Sequence, residues 1–166
     1  TVESKIINIH GERIELDGVA IDFLAPDSAW TASLDDPNEA SSIVRATFGA
    51  TRVLLTGDAE GRQERWLLEQ DATALAADVL KVAHHGSRTS TSDAFVEAVA
   101  PRVALVSVGQ GNSYGHPAPE VMRRLVEAGA TVLRTDQLGS LIVRSDGRTL
   151  EVEAAGHRWP VRKPLP

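Results

Sequence analysis

The chain has 166 residues, 42% of them apolar, with a formal net charge of −6 and no cysteine. Those figures admit one domain with a true core and exclude a disordered tail, a disulfide framework and any thiolate metal site, so a metal must be held by His, Asp or Glu. The acidic balance also opposes nucleic-acid binding built on a basic surface, because such binding rests on Lys and Arg neutralising phosphates.

No apolar run approaches the roughly 18 residues that a membrane span needs, and the N-terminus carries no secretory signal pattern. A start at Thr1 and a single methionine, Met122, suggest a piece excised from a longer protein.

In chain order, residues 6–9, 13–16 and 19–24 read as short strands, with His10-Gly11 and Asp17-Gly18 as the turns between them. Asp-Gly is a strong hairpin dipeptide. Residues 25–39, rich in Pro, Asp and Ser, form a loop whose Trp30 plugs the edge of the core. Residues 41–48 and 52–56 are a strand pair about Gly49-Ala50. Strands and helices then alternate. A helix over 59–70 buries Trp66 and Leu67, and a strand over 78–83 runs into His84-His85-Gly86. A helix over 90–100 has Ser and Thr donors for its N-cap and a Phe95/Val99 pair one turn apart. A strand over 103–108 follows, then a helix over 117–128 with proline near its start and Gly129 at its end, the expected asymmetry. Its Val121/Leu125 and Met122/Val126 pairs form one apolar stripe. Strands over 131–134, 141–144 and 149–154 close the domain, the last two joined around Asp146-Gly147, and 157–166 is a basic, Pro-rich, mobile tail. The organisation is one unit over 1–156 plus that tail. Hairpins, then alternation, then strands again make a layered α/β arrangement rather than a Rossmann order.

Three of the five histidines, His84, His85 and His116, lie beside glycine or proline at strand ends or helix starts, where open α/β sheets build their sites. Asp58 follows the apolar run Val53-Leu54-Leu55 and a turn at Gly57. It is either an N-cap of the next helix or a carboxylate metal ligand, able to bridge two ions. In His84-His85-Gly86-Ser87 the adjacent imidazoles point to opposite sides of an extended chain, so one can bind a metal while the other contacts substrate or supports the site. Asn112-Ser113-Tyr114-Gly115-His116-Pro117 is either a polar turn or a substrate contact in which Asn112 and His116 reach a phosphate. Asp136 is a turn residue or a support for a histidine. His10 and His157 lack such context and read as surface residues.

Taken together and in order, five blocks resemble the metallo-β-lactamase domain of ComEC-type DNA-internalisation proteins. They are Asn38…Ser42-Ile43-Val44, Leu54-Leu55-Thr56-Gly57-Asp58, Asp78-Val79-Leu80-Lys81-Val82-Ala83-His84-His85-Gly86-Ser87, Ser107-Val108-Gly109…Asn112-Ser113-Tyr114-Gly115-His116-Pro117, and Arg134-Thr135-Asp136…Gly139. The resemblance spans residues 36–143 and implies an αββα sandwich with a two-metal site at one edge of the sheets. It also implies a phosphodiesterase that degrades the non-imported strand of incoming DNA, on a soluble domain at the extracytoplasmic face of the bacterial inner membrane, within a polytopic membrane protein. By position, Asp58 is the bridging carboxylate, His84 or His85 the last metal ligand, and Asp58 and His85 the catalytic pair, with Ser87, Asn112 and His116 near the substrate phosphate. Zinc or manganese suits such donors, and two cations about 3.5–4 Å apart can stabilise both the attacking and the leaving oxygens.

One departure is large. The family's leading metal motif, His-x-(His/Asp)-x-Asp-His, is absent from this sequence. The chain is therefore expected to hold the C-terminal portion of the sandwich, with one metal or none, and to be inactive as a nuclease without the N-terminal half of the domain. Two alternatives stand beside this: a hydrolase of another phosphoester on the same fold, and a non-catalytic half-domain that associates with a second copy or a partner through exposed sheet edges.

Overall fold

The computed structural model describes residues 10–32, 34 and 40–161. The strand expected over 6–9, Asn38 and the end of the tail lie outside them.

Strands β1 (Arg13–Leu16), β2 (Val19–Ala25), β3 (Ile43–Phe48) and β4 (Thr51–Leu55) form an antiparallel meander. At its first turn Asp17 and Gly18 both have positive φ, 49° and 82°, as a tight two-residue hairpin requires. A short helix, α1 (Ser28–Thr31), capped by the Asp27 side chain, interrupts the expected loop after β2. From β4 onward the sheet continues in parallel through β5 (Val79–Lys81), β6 (Val103–Val106) and β7 (Thr131–Arg134), giving seven strands in sequential order. The crossovers carry α2 (Gly61–Asp71), α3 (Asp93–Val99) and α4 (Pro119–Glu127). A short α5 (Thr135–Leu138) leads to a second, three-stranded antiparallel sheet of β8 (Ile142–Ser145), β9 (Leu150–Ala154) and β10 (His157–Pro160).

Two cores follow from the strand alternation. Neighbours Val79 and Leu80 point to opposite faces of the sheet and are both fully buried, so both faces of β5 are covered. One face packs Ile43, Leu54, Leu80 and Val106 against Leu67, Phe95 and Leu125 of the three helices. The other packs Val79, Val103 and Leu133 against Leu150, Val152 and Val161 of the small sheet and the residue after it. The described residues thus form three layers, helices, sheet and sheet, which is the expected metallo-β-lactamase-like α/β sandwich less one helical layer. The second face continues past the small sheet onto β1 and β4, where Ile14, Leu16 and Leu55 stand 52%, 65% and 46% exposed.

Several expectations are corrected. The tail is ordered from its start, because His157–Pro160 pairs with β9 and Trp159 packs on the second core. Val126 is 61% exposed, so the α4 stripe is Val121 and Leu125 with Met122 at its margin. His10 is half-buried, its Nδ1–H donating to the Leu24 carbonyl at 2.7 Å and its ring edge-on to Trp66. Trp30 stacks on Trp66, and it is Trp66 that packs against the first core.

Candidate metal centre

The chemistry-bearing residues gather at the carboxyl ends of β4, β5 and β6. Each strand end uses its own device. After β4, Gly57 adopts φ 52°, and a Cβ there would crowd Ser41, so the chain turns against the segment that precedes β3. The Asp58 N–H donates to Ser41 Oγ at 3.0 Å. The Gly57 carbonyl takes two donors, Lys81 Nζ at the end of β5 at 3.1 Å and the His84 N–H in the turn after it at 3.1 Å. Burial lowers the Lys81 ammonium from its ordinary value, with the charge of Asp58 pulling the other way. Asp58 does not cap α2: that helix starts at Gly61 with Glu60 at its N-cap position and no side-chain cap. The capping alternative for Asp58 therefore falls.

After β5 the chain does not stay extended. His84, His85 and Gly86 all have positive φ, 45°, 54° and 82°. Two successive non-glycine residues there carry local strain of about 1–2 kcal/mol each. The opposite-sides expectation for the two imidazoles assumed an extended strand and is replaced by this turn, which fans the rings 6.2 Å apart at 65°. His85 Nδ1–H donates to the Ser107 carbonyl at 2.7 Å. A carbonyl can only accept, so the proton sits on Nδ1 and the Nε2 lone pair is left for another partner. Nε2 faces Asp58 Oδ1 at 3.8 Å, both side chains being nearly half exposed. Donors bound to one ion at about 2.0–2.2 Å each lie no more than about 4.3 Å apart, so this pair fits two positions of a metal site. His84 Nδ1 pairs instead with Glu60 Oε1 at 2.9 Å, and its ring meets the edge of His116 at 5.8 Å. Among the described residues no set of three or more His, Cys, Asp or Glu is arranged to hold a metal. The fit is therefore to part of a centre.

After β6, the loop is closed by Asn112, whose Nδ2 donates to the His116 carbonyl at 2.8 Å while its Oδ1 accepts the His116 N–H at 3.1 Å. Burial, then the charges of His84, His85 and Arg88, lower His116 from its ordinary value. His85, Asn112, Tyr114 and His116 line one recess of about 180 Å³. Gly86 brings this loop in: a Cβ at that position would stand 2.6 Å from Pro117 Cβ. A wider opening of about 400 Å³, lined by Asp78, Arg102 and Leu150 among others, lies at the amino ends of the parallel strands, away from the histidines.

One expected substrate contact, Ser87, and one of the two roles left open for Asp136 do not fit. Ser87 is buried, and its hydroxyl pairs with Thr89 at 2.9 Å, so it braces the turn rather than lining the recess. Asp136 clamps Arg134 through two hydrogen bonds, 3.0 and 2.6 Å, and supports no histidine. Sequence reasoning misses four residues. Glu60, Lys81 and Tyr114 are three of them, given no role of their own from the sequence. The fourth, Glu64, is wholly buried on α2 and accepts the N–H groups of Thr91 and Ser92, tying the loop after the histidines to that helix. Burial holds its carboxyl above its ordinary value, against the pull of those N–H groups and of Arg124. A carboxylate in the first turns of an amphipathic helix gives no sequence signal of burial.

The metallo-β-lactamase superfamily model matches residues 31–110. Competence protein ComA of Neisseria gonorrhoeae is 38% identical over 130 residues, covering 78% of this chain and 18% of that protein. ComE operon protein 3 of Bacillus subtilis is 33% identical over 138 residues, 83% of this chain and 17% of that protein. Recombination protein 2 of Haemophilus influenzae is 35% identical over 138 residues, with the same two coverages, 83% and 17%. The chain thus spans less than a fifth of the length of the curated relatives it matches. No helix among the described residues is long and apolar enough to cross a membrane. Fold, ordered motifs and relatives agree that this chain belongs to the metallo-β-lactamase superfamily, in the group formed by the ComEC-type competence proteins.

Proposed function

We propose that this chain is the C-terminal part of a metal-dependent phosphodiesterase domain that cleaves DNA during uptake, degrading the strand that is not imported, at the extracytoplasmic face of the inner membrane. The observation that carries the proposal is the convergence of Asp58 Oδ1 and His85 Nε2 at 3.8 Å, with the other nitrogen of His85 already committed to Ser107. Asp58 and His85 hold a divalent cation, zinc or manganese; a second ion belongs to the complete domain. A bound cation supplies positive charge to a phosphoryl oxygen, which this acidic chain otherwise lacks. His84, oriented by Glu60, and His116, held by Asn112, form the wall on which the phosphate rests. Lys81 holds the Gly57 carbonyl and thereby the turn that presents Asp58.

The missing ligands come from the N-terminal half of the domain, which also covers the apolar face left open at Ile14, Leu16 and Leu55. The test is metal-dependent cleavage of labelled single-stranded DNA and of a small phosphodiester by the domain extended upstream, beside the 166-residue chain. Cleavage of DNA by the extended domain, abolished by Asp58→Ala and by His85→Ala, is the expected result. Preference for the small ester would move the activity to another phosphoester. The same open face favours a second reading, a non-catalytic assembly module. A metal-independent dimer that buries Ile14 and Leu16, with no cleavage by the extended domain, would support it.

A further inference from the structure

Tyr114 is the chain's single tyrosine and, at 81%, the most exposed of the large apolar side chains described. Its one described ring neighbour is an imidazole of the same loop. The tyrosine lies against the His116 ring at 6.0 Å and 17°, nearly parallel, and Asn112 fastens the His116 backbone from both sides. The imidazole thus lies offset beside the tyrosine, and most of the tyrosine ring stays in water. The pair forms one wall of the recess that also contains His85. An aromatic side chain with only two rotatable bonds spends little conformational entropy on binding.

We propose that Tyr114 and His116 form a stacking platform for an unpaired nucleobase of single-stranded DNA, next to the phosphate position at Asp58 and His85. This rests on the phosphodiesterase reading and deepens it by naming the strand state of the substrate. The chemistry suits this chain. At a net charge of −6, phosphate attraction is limited to the immediate site, whereas stacking is independent of charge. Every base has a π-face, so the platform accepts any sequence, yet a paired base buried in a duplex cannot reach it. The platform therefore selects single strands without selecting a sequence.

The test uses the full chain carrying ¹³C-labelled tyrosine, whose ring signals come from one residue. It is titrated with oligothymidylate and with an abasic oligomer of the same phosphate count. Saturable upfield shifts of the Tyr114 ring with oligothymidylate but not with the abasic oligomer are expected. Tyr114→Ala should weaken oligothymidylate binding by roughly 5- to 150-fold, the range for loss of one stacked base, and leave abasic binding unchanged. Tyr114→Trp should retain the preference. If backbone amides respond while the tyrosine ring does not, or if both oligomers bind equally, the platform is overturned and the DNA reading stands. If no resonance responds to either oligomer at millimolar concentration, both fall.

Discussion

Replacing Glu64 by alanine tests whether the loop beneath the histidines hangs on one buried carboxylate. The side chain is wholly buried and accepts the N–H groups of Thr91 and Ser92, the latter at 2.9 Å, just ahead of α3. Each hydrogen bond to a charged group contributes about 1.5–3 kcal/mol, and the cost of burying the charge offsets part of two such bonds, for a net loss of about 2–4 kcal/mol. In a chain of this size each kcal/mol moves the melting midpoint by about 2–4 °C, so scanning calorimetry should show a drop of roughly 4–16 °C. The pH dependence has a definite sign. The folded-state pKa of Glu64 is raised from 4.5, so between the two values the native state binds the extra proton. The extra stabilisation linked to this proton uptake is fully present below the unfolded value and is lost as pH rises through the folded one. The gap between wild type and Glu64→Ala should therefore widen as pH falls from 7 toward 4.5. A midpoint change below about 2 °C, or a gap that narrows on acidification, refutes this account of the loop.

Gly86→Ala should destabilise by about 2–4 kcal/mol in urea unfolding, since it forces a side chain into a left-handed conformation and against Pro117. Asp136→Asn should leave metal binding unchanged in calorimetry, because Asp136 serves Arg134 and touches no histidine. The His116 imidazole should titrate below its ordinary value of 6.5 in an NMR pH series, and Arg88→Ala should raise its midpoint by removing one of the repelling charges.

Much of the site's placement is legible in the sequence for a simple reason. An apolar strand must end at a turn, and Gly57 and Gly86 mark where polar side chains can emerge from a buried sheet. That pattern alone puts Asp58, His84 and His85 at strand ends. The division of labour between the two imidazoles is not legible. It depends on the left-handed turn and on the Ser107 carbonyl, 22 residues away in the chain. Glu60, Lys81 and Glu64 hide because a charged residue on a helix or strand ordinarily faces water, and only the packed fold turns one inward. The tail misleads in the opposite sense. Its Pro and basic residues look unstructured, yet Trp159 and Val161 close the second core. Ser87 and Asn112 sit in the right loops but spend their polar atoms on those loops, which spacing cannot reveal.

On the proposed reading, Asp58 and His85 form a preorganised part of a metal centre. Calorimetric titration of zinc and of manganese into this chain, beside Asp58→Ala, His85→Ala and His84→Ala, tests it most directly. Wild type should bind one ion, the first two variants should lose it and the third should retain it, since His84 faces His116 rather than Asp58. No binding above background, or binding that survives both Asp58→Ala and His85→Ala, would contradict it.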